Sequence, residues 1–162
     1  MPDKSMMNLR KLLLWILVSI IILCALRYGI LECANQYIYN LRNTHFPSFA
    51  YRYDDFLPYI PVVIMFGMSR SQWKPMLIST VFSFALMGIT ICSIKSLAGV
   101  LRPDGSDFLS FPSGHTATAF TSACLLYKEY GPKSSWIGVA AFLPAFITGL
   151  SRQLNNRHWL SD

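Results

Sequence analysis

A chain of 162 residues has room for about one domain, and with 53% apolar and only 14% charged residues it does not have the makeup of an ordinary soluble one, which runs near ~25% charged. A mean hydropathy of +0.39 excludes a disordered chain. The net charge of +6 does not signal a nucleic-acid partner, because the basic residues form no polar, exposed run, and four cysteines without paired spacing make neither a disulfide framework nor a zinc site.

The apolar runs predict an all-α, polytopic transmembrane bundle forming a single domain over residues 1–162. A bilayer core takes about 20 helical residues. Leu12–Leu31 is 20 residues long with one internal charge, Arg27. A cleaved signal is disfavoured there, because no small-residue cleavage site follows. Phe56–Ser69 has only 14 residues and contains Pro58 and Pro61, which reads as a short or kinked span. Pro75–Ile94, Phe111–Tyr127 and Ser134–Ser151 are 20, 17 and 18 residues without Asp, Glu, Lys or Arg. None shows the period-2 alternation of a strand. Glu32–Asp55 reads as a long polar loop.

Alternate crossings place residues 1–11, 70–74 and 128–133 on one side. That side carries seven Lys or Arg in 22 residues, against six in 51 on the other. The positive-inside bias puts the N-terminus in the cytoplasm. For a bacterial source the expected location is the inner membrane, with the other side periplasmic. For a eukaryotic source it is lumenal or extracellular.

Three groups on that outer side are left over by topology: Lys95 with Arg102-Pro103, Pro112-Ser113-Gly114-His115, and Ser151-Arg152 with His158 and Asp162. Lys95, Arg102 and Arg152 form a cation set suited to phosphate, Arg as a planar fork and Lys as a point charge. Ser113 and Gly114 stand where a helix begins, and unpaired N–H groups there favour an anion. His158 and Asp162 are four apart and share one face if helical. Asp162 then accepts from one imidazole nitrogen and leaves the other as a nucleophile. His115 adds a second group that titrates near neutral pH, suited to protonating a leaving oxygen. No carboxylate cluster is available for magnesium. This reading is metal-independent phosphoryl transfer, with no cofactor, on an anionic substrate.

These three blocks, Lys-x6-Arg-Pro, Pro-Ser-Gly-His and Ser-Arg-x5-His-x3-Asp, resemble the signature motifs of the type 2 phosphatidic acid phosphatase superfamily at all eleven positions. The resemblance covers residues 95–162. It implies that His158 forms a phosphohistidine, that Asp162 orients it, and that His115 is the general acid and later the activator of water. Lys95, Arg102, Ser113, Gly114 and Arg152 then bind the phosphate. It also implies a lipid phosphatase, hydrolysing a phosphomonoester or pyrophosphate of lipid A, undecaprenyl pyrophosphate or phosphatidylglycerophosphate at the outer face. Soluble vanadium haloperoxidases share the motifs, but the apolar spans set this chain apart from them. Integral family members have six spans, the last following the third motif. Because this chain ends at Asp162, the expectation is a sixth span missing after the C-terminus, with Asp162 frayed and activity weak. A phosphotransferase with the same intermediate and a non-catalytic lipid-binding or transport protein are the alternatives.

The remaining residues receive plainer readings. Arg27 reads as snorkelling, with a substrate role as the alternative, and Asp54-Asp55 read as helix-start acids, with a loop contact to the site as the alternative. His45 is solvated. Cys24, Cys92 and Cys124 pack within spans, and Cys33 is a lone outer thiol. Trp159 anchors the interface, and Arg157 is left out of the site. Gly114, Thr118 and Ser122 recur every four residues as a packing stripe.

Overall fold

In a computed structural model of the chain, the described residues are 27–69 and 73–162, together with Lys11, Leu14, Trp15, Leu17, Val18 and Ile22. Half of the expected span Leu12–Leu31 therefore lies outside them, as do Cys24 and the Arg27 side chain. Among the described residues the regular structure is all helical. Helix α1 is Glu32–His45, α2 Ile60–Met68, α3 Trp73–Ala98, α4 Gly114–Tyr130 and α5 Ser135–Leu154. Short 3-10 turns at Tyr53–Asp55 and Leu57–Tyr59 lead into α2.

The segment read as a loop, Glu32–Asp55, is thus largely a helix. Its sequence is polar on most positions, so no apolar run announced it. It is held by side chains that reach the far end of the chain. Asn35 is 5% exposed. Its amide donates to Ser161 Oγ at 3.0 Å, and its carbonyl accepts from Ser161 N at 3.1 Å. Arg42 Nε donates to the carbonyl of Leu154 at 2.8 Å, closing the end of α5.

Two helices among the described residues, Trp73–Ala98 and Trp136–Leu154, are long and apolar enough to cross a membrane. The side chains of Ile78, Val81, Phe82 and Ile89 on α3 point outward, away from the bundle. Helices α4 and α5 make the most extensive contact. Small residues are buried on both helices, with Ala119, Ser122 and Ala123 on α4 and Ala141, Ala145 and Thr148 on α5 at or near zero exposure, while Phe120 and Tyr127 of α4 pack against Phe142 and Phe146 of α5. Small side chains let backbones approach closely, which is how apolar helices gain packing where lipid removes the hydrophobic drive. Ser122 belongs to this face. Gly114 and Thr118, expected to share it, instead line a 320 Å³ cavity. Cys92 and Cys124, expected in packing roles, are exposed on α3 and α4.

The end of α5 decides where the third motif goes. Asn156 has φ 60°, the left-handed conformation that closes many helices. Its N–H donates to the Gln153 carbonyl at 2.9 Å, and the Arg157 N–H to the Arg152 carbonyl at 3.0 Å. These are the two bonds of a Schellman motif. The chain therefore reverses between Arg152 and His158 and folds back over the end of its own helix. An Asn156→Gly variant should unfold near the parent temperature. Asn156→Val should lose about 1–2 kcal/mol, because a β-branched residue resists this φ. Thermal unfolding in detergent measures both.

Candidate active site

Seven of the eight candidate residues come from three chain segments that meet at one end of the bundle; Lys95, on the last turn of α3, is the eighth. Its Nζ donates to the Leu109 carbonyl, and it is near enough to Arg102 and Asp162 to feel their charges.

Past Gly99, whose φ of 54° ends α3, the chain makes a tight loop. Arg102 N donates to the Asp107 carbonyl at 2.9 Å, and Gly105 N to the Arg102 carbonyl at 3.0 Å. The Arg102 guanidinium is fixed by Asp107, Nε to Oδ1 at 2.8 Å, and by the Arg157 carbonyl, 3.2 Å from Nη1. In return the guanidinium holds the Asp107 carboxyl below the usual range. Arg157, left out of the expected site, pairs with Asp104 at 3.0 Å.

The second motif starts α4. Ser113 is 2% exposed and acts as the N-cap, its Oγ accepting from Thr116 Oγ1 at 3.0 Å and from Thr116 N at 3.4 Å. Its own N–H is taken by the Asp162 backbone carbonyl at 3.0 Å. The N–H groups of Gly114 and His115 stand in the first turn, where a helix offers them no internal partner. The Phe111–Pro112 peptide just ahead is cis.

His158 and Asp162 meet, but not on a helix: residues 155–162 are turns and bends. His158 Nδ1 lies 3.3 Å from Asp162 Oδ2, with side-chain exposures of 4% and 0%. Asp162 is far from frayed. Its Oδ2 also accepts from Trp159 N at 2.9 Å and from Ser110 Oγ. With Nδ1 turned to the carboxylate, Nε2 is the opposite edge of the imidazole, and Arg102 Nη1 faces it at 3.5 Å. Burial pushes the His158 imidazole below its ordinary pKa, and Arg152 and Arg102 push the same way. Asp162 opposes them. Trp159, read as an interface anchor, donates its indole N–H to the Leu101 carbonyl at 2.7 Å and packs on Tyr39. It ties the third motif to the first.

A polar cavity of about 670 Å³ is lined by Arg102, His115 and Arg152 together with Asp54, Asp55 and Asn155; His158 does not line it and borders a separate, much smaller space with Asn35, Pro103 and Trp159. Arg152 Nη1 donates to Asp54 Oδ2 at 2.9 Å, with side-chain exposures of 12% and 2%. Arg152 Nε is buried and has no hydrogen-bond partner among the described residues. Asn155 Nδ2 donates to the Tyr51 carbonyl at 2.7 Å. Asp54 and Asp55, read as helix-start acids or a loop contact to the site, lie in the first turn of the Tyr53–Asp55 3-10 segment, which has no side-chain cap. They face Arg152 and His115. His115 also borders the 320 Å³ cavity, where Pro58, Met87, Ile91 and Cys92 are apolar neighbours. Among the described residues no group of three or more His, Cys, Asp or Glu is placed to hold a metal ion.

The pattern of the PAP2 superfamily matches residues 76–162. The chain belongs to the PAP2 superfamily. The lipid A 1-phosphatase of Porphyromonas gingivalis is 43% identical over 132 residues, covering 77% of this chain and 30% of that protein. The chain thus spans about a third of that relative's length. No solved structure matches it. The PAP2 match takes in all three motifs and most of α3, but not the Asp54–Asp55 turn or α1. Those elements add Asp54, Asp55 and Asn35, none of which the motif spacing pointed to. The one signal for Asp54-Asp55 was two adjacent carboxylates on the motif-bearing side.

Proposed function

We propose that this chain carries the catalytic unit of a membrane lipid phosphatase that removes phosphate from lipid A or a closely related glycolipid, through a phosphohistidine on His158. The observation that carries the reading is Arg152: a buried guanidinium, held by Asp54, whose Nε has no partner among the described residues. A buried donor without a partner costs about 1–3 kcal/mol, and an anion oxygen in the adjoining cavity would satisfy it.

In this reading Arg102, Arg152, Lys95 and the N–H groups of Gly114 and His115 hold the phosphoryl oxygens and stabilise charge in the transition state. Asp162 accepts the Nδ1 proton of His158 and fixes the tautomer, so that the Nε2 lone pair attacks phosphorus. His115 protonates the departing oxygen, then takes a proton from the water that cleaves the phosphohistidine. The apolar cavity that shares His115 with the polar site is lined by Met87, Gly88, Ile91 and Cys92 of α3, and in this reading it takes the start of the lipid tail while the head group enters the polar site. The charge bias of the loops supports an outer position for this end of the bundle, which is the periplasmic face for a bacterial source.

Phosphate release from a panel of lipids in detergent tests the substrate class. Lipid A 1-phosphate should turn over at least tenfold faster, by kcat/KM, than undecaprenyl pyrophosphate or phosphatidylglycerophosphate, a difference of about 1.4 kcal/mol in transition-state binding. Equal rates on all three would contradict the glycolipid assignment.

A further inference from the structure

His115 is assigned above to give a proton to the leaving oxygen, and a carboxylate stands at its ring. Asp55 Oδ1 lies 3.4 Å from His115 Nε2, with side-chain exposures of 31% and 39%. Both residues line the polar cavity. The other Asp55 oxygen accepts from Arg52 Nε at 3.0 Å, which holds the carboxylate in place. The preceding residue, Asp54, holds Arg152. Both acids sit on one 3-10 turn, Tyr53–Asp55. Successive side chains of that turn therefore reach a proposed phosphate ligand and the proposed acid. This turn lies outside the region matched to the family.

Resting on the reading of His115 as the general acid, we propose that Asp55 is its positioning residue, a second carboxylate–histidine pair facing the one formed by Asp162 and His158. Asp55 accepts a hydrogen bond from His115 Nε2–H and sets the ring so that Nδ1 carries the proton that is transferred. In the first half-reaction the bond from His158 Nε2 to phosphorus forms as the ester P–O bond breaks, and the Nδ1 proton goes to the departing oxygen, which leaves as a hydroxyl. In the second, water oxygen bonds to phosphorus, its proton goes to His115 Nδ1, and the P–N electron pair returns to His158. Asp55 stays ionised throughout and forms no bond to substrate.

A general acid matters in proportion to how poor the leaving group is. The full chain in detergent is assayed by kcat/KM, which reports the steps up to leaving-group departure, on an alkyl lipid monophosphate and on p-nitrophenyl phosphate. The variants are Asp55→Asn, Asp55→Glu and His115→Ala. Asp55→Asn should lose about tenfold or more on the alkyl ester and less than about threefold on the aryl ester. Asp55→Glu should recover most of the alkyl activity. Turnover of the aryl ester shows in the same sample that the phosphate site is folded. Equal losses on both esters, as a merely structural role would give, or no loss on either, would overturn the proposal. His115→Ala separates the two ideas. If it discriminates between the esters and Asp55→Asn does not, only the role of Asp55 fails. If His115→Ala does not discriminate, the acid assignment fails and the role of Asp55 falls with it.

Discussion

Replacing His158 with alanine should reduce phosphate release by a factor on the order of 10³ or more, with the protein still folded and still binding phosphate. The loss is large because no other side chain can substitute. His158 is the imidazole whose Nδ1 faces a buried carboxylate at 3.3 Å, which leaves Nε2 as the nucleophilic edge. The same geometry sets a pH dependence. Attack requires neutral His158, and burial together with Arg152 and Arg102 holds its pKa below the ordinary value. The neutral form then persists to lower pH, so the acid limb of kcat/KM should fall below about 6.5. Asp162→Asn should move that limb lower still, because it removes the charge that favours the imidazolium. It should also cost about a hundredfold or more in rate, because the amide no longer enforces the reactive tautomer. An acid limb above 7 in the parent protein would contradict this arrangement.

Asp54→Ala should be the most destabilising single change at the site. Asp54 is 2% exposed on its side chain and pairs with an Arg152 that is 12% exposed. Removing one member of such a pair leaves a buried charge, at a cost of about 3–5 kcal/mol. The predicted consequence is a loss of that size, accompanied by loss of turnover as Arg152 shifts. Asp54→Ala combined with Arg152→Met should recover much of the stability and none of the activity, since the unpaired charge is gone and the phosphate ligand with it. Unfolding of the four species in a double-mutant cycle measures the coupling. A coupling near zero would mean that Arg152 is held by its helix alone.

These two cases mark what the sequence could and could not reveal. His158, Asp162 and Arg152 were legible because their spacing is local. The helix end between them obeys a local rule, and the left-handed Asn156 folds the chain back. The expectation of a shared helical face for His158 and Asp162 named the right pair with the wrong backbone. A return turn brings the two together as well as a helical turn would. The apolar runs reported the all-helical class, because a helix with no polar face carries a strong composition signal.

Asp54 and Asn35 were not legible for the opposite reason. Asp54 meets Arg152 across 98 positions, and Asn35 meets Ser161 across 126. Neither contact leaves a periodic trace. Helix α1 is rich in Asn and Tyr, a composition that also suits a loop, and its place is set by side chains clamping the third motif. Asp162, expected to be frayed, is instead buried at 0% side-chain exposure. Its carboxylate is fixed by Ser110, Trp159 and His158, and its backbone carbonyl by Ser113.

The central claim is that His158 takes the phosphoryl group. Brief incubation of the protein with a lipid labelled with ³²P in the phosphate, quenched in base and digested, tests it most directly. The account predicts one labelled peptide containing His158, stable in base and lost in acid, present in the parent protein and absent from His158→Ala. Label on a serine, on another histidine, or unchanged in His158→Ala would contradict it.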